Sequence, residues 1–374
     1  MQRRYRQLVR EHLDAPSRAA HGLKAAPGTA EAFASTQAAW RFFANPRVTL
    51  PALVEPLRTA GREAAAASPS AYVLLVHDWS KLDDRGHRSK TDQTRLSHAE
   101  DIGYELTTAL LVDATTGAPL APMELSLRCA SGLLTTAQTE VVAPRHHLEQ
   151  LLPVMQASRG WSLPQSVVHV IDREADSQTH FRQWIADEHT FLVRADATRK
   201  VRWQGQLLRL PELSEALLAA GQFVATGTVP IRGRTGCRWV AEADVLLDRP
   251  ARQRTPQGRV KVGRKPLPLR LVISRIVNDA GRVLAEWWLL TNVAADVPPA
   301  TVADWYYWRW QIESFHKLLK SSGQQLESWQ QESAEAIARR LLISAMACVC
   351  AWTLERPPPP SNANGCSCDS AAAR

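Results

Sequence analysis

The chain has 374 residues, enough for two or three structural units around a large core. Its 45% hydrophobic and 22% charged composition excludes a disordered chain, and no run of eighteen apolar residues suggests a membrane span. A formal net charge of +8 favours a polyanionic partner, and thirteen Trp leave rings for stacking on bases as well as for a core.

In chain order, the N-terminal MQRRYRQLVREHLDAPSRAAHG is basic but has no apolar h-region, so no secretory signal is expected and the compartment is expected to be the cytoplasm. Residues 1–67 read as helical, with AAWRFFANPRV inside them, and the small-residue stretch GREAAAASPS marks a boundary. AYVLLVHD (71–78) reads as a buried strand ending in an acid. YELTTALLVD and APMELSLRCA suggest antiparallel strands. A helix is expected over 146–161. SVVHVIDREAD is a second buried strand ending in acids, and HFRQWIADE has helical spacing. From 191 to 292 the pattern turns to strands, interrupted by the basic RPARQRTPQGRVKVGRKP, expected to be a flexible loop. Helices return over about 302–354, and the proline-rich tail from 357 reads as disordered.

Of the six cysteines, Cys348–Cys350 and Cys366–Cys368 form C-x-C pairs, a spacing too short for usual zinc sites and without nearby His. A richer signal lies in YYWRWQIESFHKLLK (306–320). On a single helix, Tyr306, Arg309, Glu313 and Lys320 fall within an arc of roughly 60°, opposite an apolar stripe of Trp308, Ile312, Phe315 and Leu319. One reading is an Arg309–Glu313 pair on a solvated face. The other is that Glu313 holds a metal while Tyr306, Arg309 and Lys320 hold phosphates beside it. That second reading needs further carboxylates, and Asp78 and Asp172, closing the two buried strands, supply them. Three acids of this kind can bind two divalent cations for phosphoryl transfer, with oxygen ligands suited to Mg²⁺ or Mn²⁺.

The spacing Y-x₂-R-x₃-E-x₆-K resembles the YREK signature of DDE transposases encoded by bacterial insertion sequences, in the insertion-sequence-four group of cut-and-paste enzymes. DREAD (172–176), HDWSKLD (77–83) and AAWRFFANPRV are similar to further blocks of that group, in the same order. The resemblance implies an α/β fold with an RNase H-like, retroviral-integrase-like catalytic core. The expected organisation is a helical DNA-binding region (1–67), a first core part (68–190), a mostly β insertion domain (191–292), the final core helices (293–356) and a tail (357–374).

The resemblance further implies that Asp78, Asp172 and Glu313 are the catalytic, metal-holding triad, with Mg²⁺ or Mn²⁺ as cofactor. Tyr306, Arg309 and Lys320 would grip DNA phosphates, and Trp287, ahead of Trp288, would stack a flipped base. Arg173, Arg194 and the basic segment around Arg252, Arg254, Arg259, Lys261, Arg264 and Lys265 are further candidate DNA contacts. The implied partners are double-stranded DNA, as terminal inverted repeats and target, and a second copy of the chain during synapsis. No membrane is implied, and the protein is expected on the bacterial nucleoid. The implied reaction is 3′-end cleavage, hairpin formation and resolution, then strand transfer. Relatives commonly continue into a helical C-terminal region that pairs two protomers, where this chain has four prolines and a polar tail. The alternative is therefore a remnant that binds transposon ends without transposing; a stand-alone RNase H-like nuclease is a third reading.

Overall fold

A computed structural model describes residues 1–14, 30–83, 89–96, 100–144, 146–231, 233–248, 251–255, 258–262 and 265–355. Arg264, Cys366, Cys368 and the tail expected at 357–374 lie outside these described residues. The N-terminal region is helical as expected, with α1 (Gln2–Asp14), α2 (Ala30–Ala44) and α3 (Leu50–Ala66). The last starts where Thr49 accepts a hydrogen bond from the Ala52 amide.

Strands β1 (Tyr72–Asp83), β2 (Thr94–Arg95), β3 (Ile102–Asp113), β4 (Pro119–Cys129) and β5 (Gly132–Thr135) follow. Then come α4 (His147–Ser158), β6 (Ser166–Ile171), α5 (Gln178–Ala186), β7 (Thr190–Arg194), β8 (Lys200–Trp203), β9 (Gln206–Arg209) and α6 (Leu210–Ala219). The remaining strands are β10 (Val224–Ile231), β11 (Arg234–Leu247), β12 (Ala251–Thr255), β13 (Gly258–Val262), β14 (Leu267–Val277) and β15 (Val283–Thr291). Helices α7 (Pro299–Tyr307), α8 (Trp310–Lys317) and α9 (Ala334–Glu355) end the described chain.

One large mixed sheet runs in the order β5-β4-β3-β1-β6-β7-β15-β14-β11-β8-β9. Its centre is parallel, β6 pairing with both β1 and β7, while β3–β4 are antiparallel as expected and β1–β3 are antiparallel as well. The strands from 200 onward extend this same sheet, so the block expected as a β insertion is continuous with the core through β7 and β15. Side chains alternate between two buried clusters. Leu192, Val272 and Leu289 join α1–α3 and α7–α9, whereas Phe191, Val193, Leu271, Ile273 and Leu290 join α4–α6. The sheet is thereby covered on both faces, which is why its central strands read as continuous apolar runs.

Two expectations change here. The block read wholly as strands contains helix α6, whose Pro211 start and Glu212 carboxylate, accepting from the Arg209 amide at 2.7 Å, are ordinary helix-opening signals. The basic segment read as a loop carries the β12–β13 hairpin, with Arg252 opposite Lys261 and Arg254 opposite Arg259; those side chains lie outside the described residues. Helix α9 is apolar and long enough to cross a membrane, but 72% of its apolar window is buried in this fold, as a core helix is.

Candidate active site

The two aspartates come from neighbouring parallel strands. In the β1–β6 register Val76 pairs with Val170, so Asp78 and Asp172 lie at the same level, two residues beyond that pair. Asp172 follows the last residue of β6, as expected. Its Oδ1 accepts from the Glu174 amide at 2.8 Å and so caps a short 3₁₀ turn over Arg173–Ala175. Asp78 does not close its strand: β1 continues to Asp83, because its antiparallel partner β3 runs on past the point where β6 stops. Asp78 therefore sits in mid-strand, its Oδ1 accepting from the Trp79 amide at 2.8 Å.

The stretch 306–320 is not one helix. α7 ends at Tyr307, a turn at Trp308–Arg309 follows, α8 spans Trp310–Lys317, and a π-helical turn covers Leu318–Ser322. The single polar row expected of Tyr306, Arg309, Glu313 and Lys320 is therefore divided. Tyr306 turns inward, 2% exposed, with its ring edge-on to Trp287 at 5.6 Å. Lys320 donates to the Lys81 carbonyl at 2.6 Å and pairs with Glu327 at 3.1 Å, which ties the π-helical turn after α8 to β1. Ile312, Phe315 and Leu319 bury as the apolar stripe predicted. Trp308, only partly buried, covers the Gly117 turn between β3 and β4, where φ is +72° and a Cβ would stand 2.5 Å from the indole.

Arg309 is the hinge of the site. Its Nη1 donates to Asp78 Oδ2 at 3.2 Å and its Nη2 to Glu313 Oε1 at 2.5 Å. The guanidinium itself is buried and lies over the rings of Tyr306 and Trp310, at 5.9 and 5.3 Å. Burial pushes Asp78 up to about 6 despite Arg309, with Asp172 and Glu313 adding to the rise. Burial raises Asp172 too. Burial alone would lower Arg309, but Tyr306, Asp78 and Glu313 together raise it. Behind Asp78, His77 packs 3.0 Å from His169, and burial lowers His77 to about 3, so this pair is neutral.

Beside the acids opens a cavity of about 620 Å³ lined by Arg194, Trp287, Tyr307, Arg309 and Trp310, among others. Trp287 and Arg194, both expected to serve DNA, thus meet here, while Trp288 packs on the opposite cluster. Tyr307 donates to the Pro230 carbonyl at 2.8 Å and closes one end. Trp310, half exposed, is a lining residue that the helical wheel did not single out; its position beside Arg309 was the available signal. Arg173 is exposed on the turn beside Asp172.

The chain matches a family model described as a transposase DDE domain over residues 129–350, more than half its length. It belongs to the DDE transposase family. The matched span contains Asp172 and Glu313, and Asp78 precedes it. Transposases of this family act on DNA and use divalent metal ions.

In donor chemistry this transposase fits such an ion. The three carboxylates offer hard oxygen ligands, and burial raises Asp78 and Asp172, a cost to their charged forms that a bound cation would offset. Among the described residues no three His, Cys, Asp or Glu side chains are gathered closely enough to hold an ion as they stand. Arg309 lies between two of the carboxylates, so a cation there would take over its role as counter-ion.

Proposed function

We propose that the chain is a Mg²⁺-dependent transposase of the insertion-sequence-four group, excising and reinserting DNA through an RNase H-like core with a β insertion. Asp78, Asp172 and Glu313 would hold the metal, for which Mn²⁺ could substitute. The observation behind this reading is that one guanidinium is shared by Asp78 and Glu313 while Asp172 stands level with Asp78 on the adjacent strand. Bound divalent cations would lower the pKa of an attacking water or 3′-hydroxyl and neutralise the leaving oxygen.

The protein's own groups bind and orient. A DNA phosphate draws Arg309 off the acids, because a guanidinium and a phosphate pair through two parallel hydrogen bonds. Arg194 shares that cavity, and Arg173 and Lys320 flank the acids. An unstacked base would rest against Trp287, with Trp310 and Tyr307 completing an aromatic enclosure that excludes water. Tyr306, being inward, braces Trp287. Lys261, Arg264 and the rest of the basic hairpin segment would add contacts to the backbone of any sequence. The N-terminal helices would read the transposon ends, and two copies would pair during synapsis on the nucleoid. Cleavage, hairpin closure, hairpin opening and strand transfer are all phosphodiester displacements, so one carboxylate site serves each in turn.

The test is incubation with Mg²⁺ and linear DNA carrying the terminal inverted repeats that flank the gene. A 3′ nick followed by a hairpin is expected, and Asp172→Ala should lower the rate on the order of 10³-fold, since several kcal/mol of transition-state stabilisation go with the metal. Binding without cleavage in the unaltered protein would point to an end-binding remnant instead.

A further inference from the structure

The two aspartates are separate in sequence, and their backbone segments meet at one side chain that the catalytic reading leaves unused. His147, the first residue of α4, lies face to face on Trp79, with ring centroids 4.0 Å apart and planes 17° from parallel. Trp79 directly follows Asp78. The Nε2 of the same ring is 3.2 Å from Glu174 Oε2, and the Glu174 amide donates to Asp172 Oδ1. Its Nδ1 stands 3.5 Å from Glu105 Oε2 on β3, and Glu105 is itself gripped by Arg128 at 3.2 Å. His147 is 9% exposed and Glu105 6%, so stacking and polar contacts hold the ring on three sides.

We propose that His147 is a positioning residue that sets the spacing of Asp78 and Asp172 through Trp79 and Glu174, and with it the affinity of the site for a divalent cation. This rests on the metal-dependent reading above. Carboxylates that share a cation must keep their separation to within about 0.5 Å. The β1–β6 ladder ends at Val76 and Val170, so from there on hydrogen bonding between the two strands no longer fixes it. His147 spans that open end: a shift of the 3₁₀ turn would pull Glu174 off the ring, and a shift of β1 would unstack Trp79. Glu105 on β3 and Arg128 on β4 anchor the ring to the side of the sheet that is paired with β1 and away from the Asp172 turn.

Mn²⁺ binding to the full chain, followed by the electron paramagnetic resonance of free Mn²⁺, tests this alongside melting temperature. His147→Ala and Glu174→Ala should each weaken Mn²⁺ by roughly 10- to 100-fold, as loss of groups that orient metal ligands does. The double variant should be no weaker than the worse single. His147→Gln, whose amide can still donate to Glu174, should recover most of the affinity. Glu174 is half exposed, so its variant is expected to melt with the unaltered protein. Unchanged Mn²⁺ affinity in Glu174→Ala and His147→Ala, or a loss in His147→Ala that follows melting temperature and is absent from Glu174→Ala, overturns the proposal. An unaltered protein that binds no Mn²⁺, or binds it equally with Asp172→Ala, overturns the metal-dependent reading and this proposal with it.

Discussion

The chemistry of the site turns on how few charges balance it. Asp78 is pushed from the ordinary 3.8 to about 6 because burial outweighs Arg309, and the other two acids push the same way. A folded-state value above the unfolded one means that the native protein takes up a proton between about pH 4 and 6 that the unfolded chain does not. Stability of the metal-free protein therefore falls as pH rises through that window and stays low above it. The difference corresponds to roughly 3 kcal/mol. Asp78→Asn should accordingly melt a few degrees higher than the unaltered protein at pH 8 without metal, and at the same temperature below pH 4. Thermal scans at the two pH values check this; no gain at pH 8 would mean that Arg309 already neutralises the site. Asp78 and Asp172 stood out in the sequence because each ends an apolar run, and Glu313 because it stands in a cationic stretch. His147 did not, since its role exists only where three segments meet. Tyr306 was misplaced for a related reason: the wheel assumed an unbroken helix.

At the scale of elements, the break between α7 and α8 sets the direction of Arg309 and Glu313. Trp308 fills it, resting on Gly117 in the turn where Asp113 Oδ1 accepts from the Thr115 and Thr116 amides at 2.8 and 2.7 Å. Gly117→Ala places a side chain at φ +72° and 2.5 Å from the indole, so both strain and overlap oppose it. A loss of about 2 kcal/mol or more is expected. Because the displaced group is the turn that carries Arg309, cleavage should fall further than melting temperature alone accounts for. Equal stability in a denaturant titration would show that the turn yields instead. Neither the helix break nor the run of β1 past Asp78 was visible in residue spacing. The 306–320 pattern suits one helix, and the tertiary contact with Gly117 interrupts it. The polar second half of β1 has no apolar alternation, and pairing with β3 holds it extended. Helix α6 was missed although its Pro211 and Glu212 were legible, because the strands around it dominated the reading.

Across the whole molecule, the order of strands does what no local motif can. β1 and β6 are parallel neighbours, and α8 returns from the far end of the chain to pack over β1 and β3, which brings Glu313 to the same Arg309 that holds Asp78. Sequence reading found the buried strands and the helical N-terminus. It treated residues 191–292 as a unit apart, whereas hydrogen bonding from β7 through β15 makes them one sheet with the core, a long-range pairing that composition cannot reveal. The claim that Asp78, Asp172 and Glu313 form a single metal site is tested most directly by loading the protein with Fe²⁺ in place of Mg²⁺. Ascorbate and peroxide then generate hydroxyl radicals that cut the backbone nearest the ion. The account predicts cuts in three places, near residues 78, 172 and 313, all lost in Asp172→Ala and suppressed by excess Mg²⁺. Cuts at only one of these segments, or at all three regardless of Asp172, would contradict it.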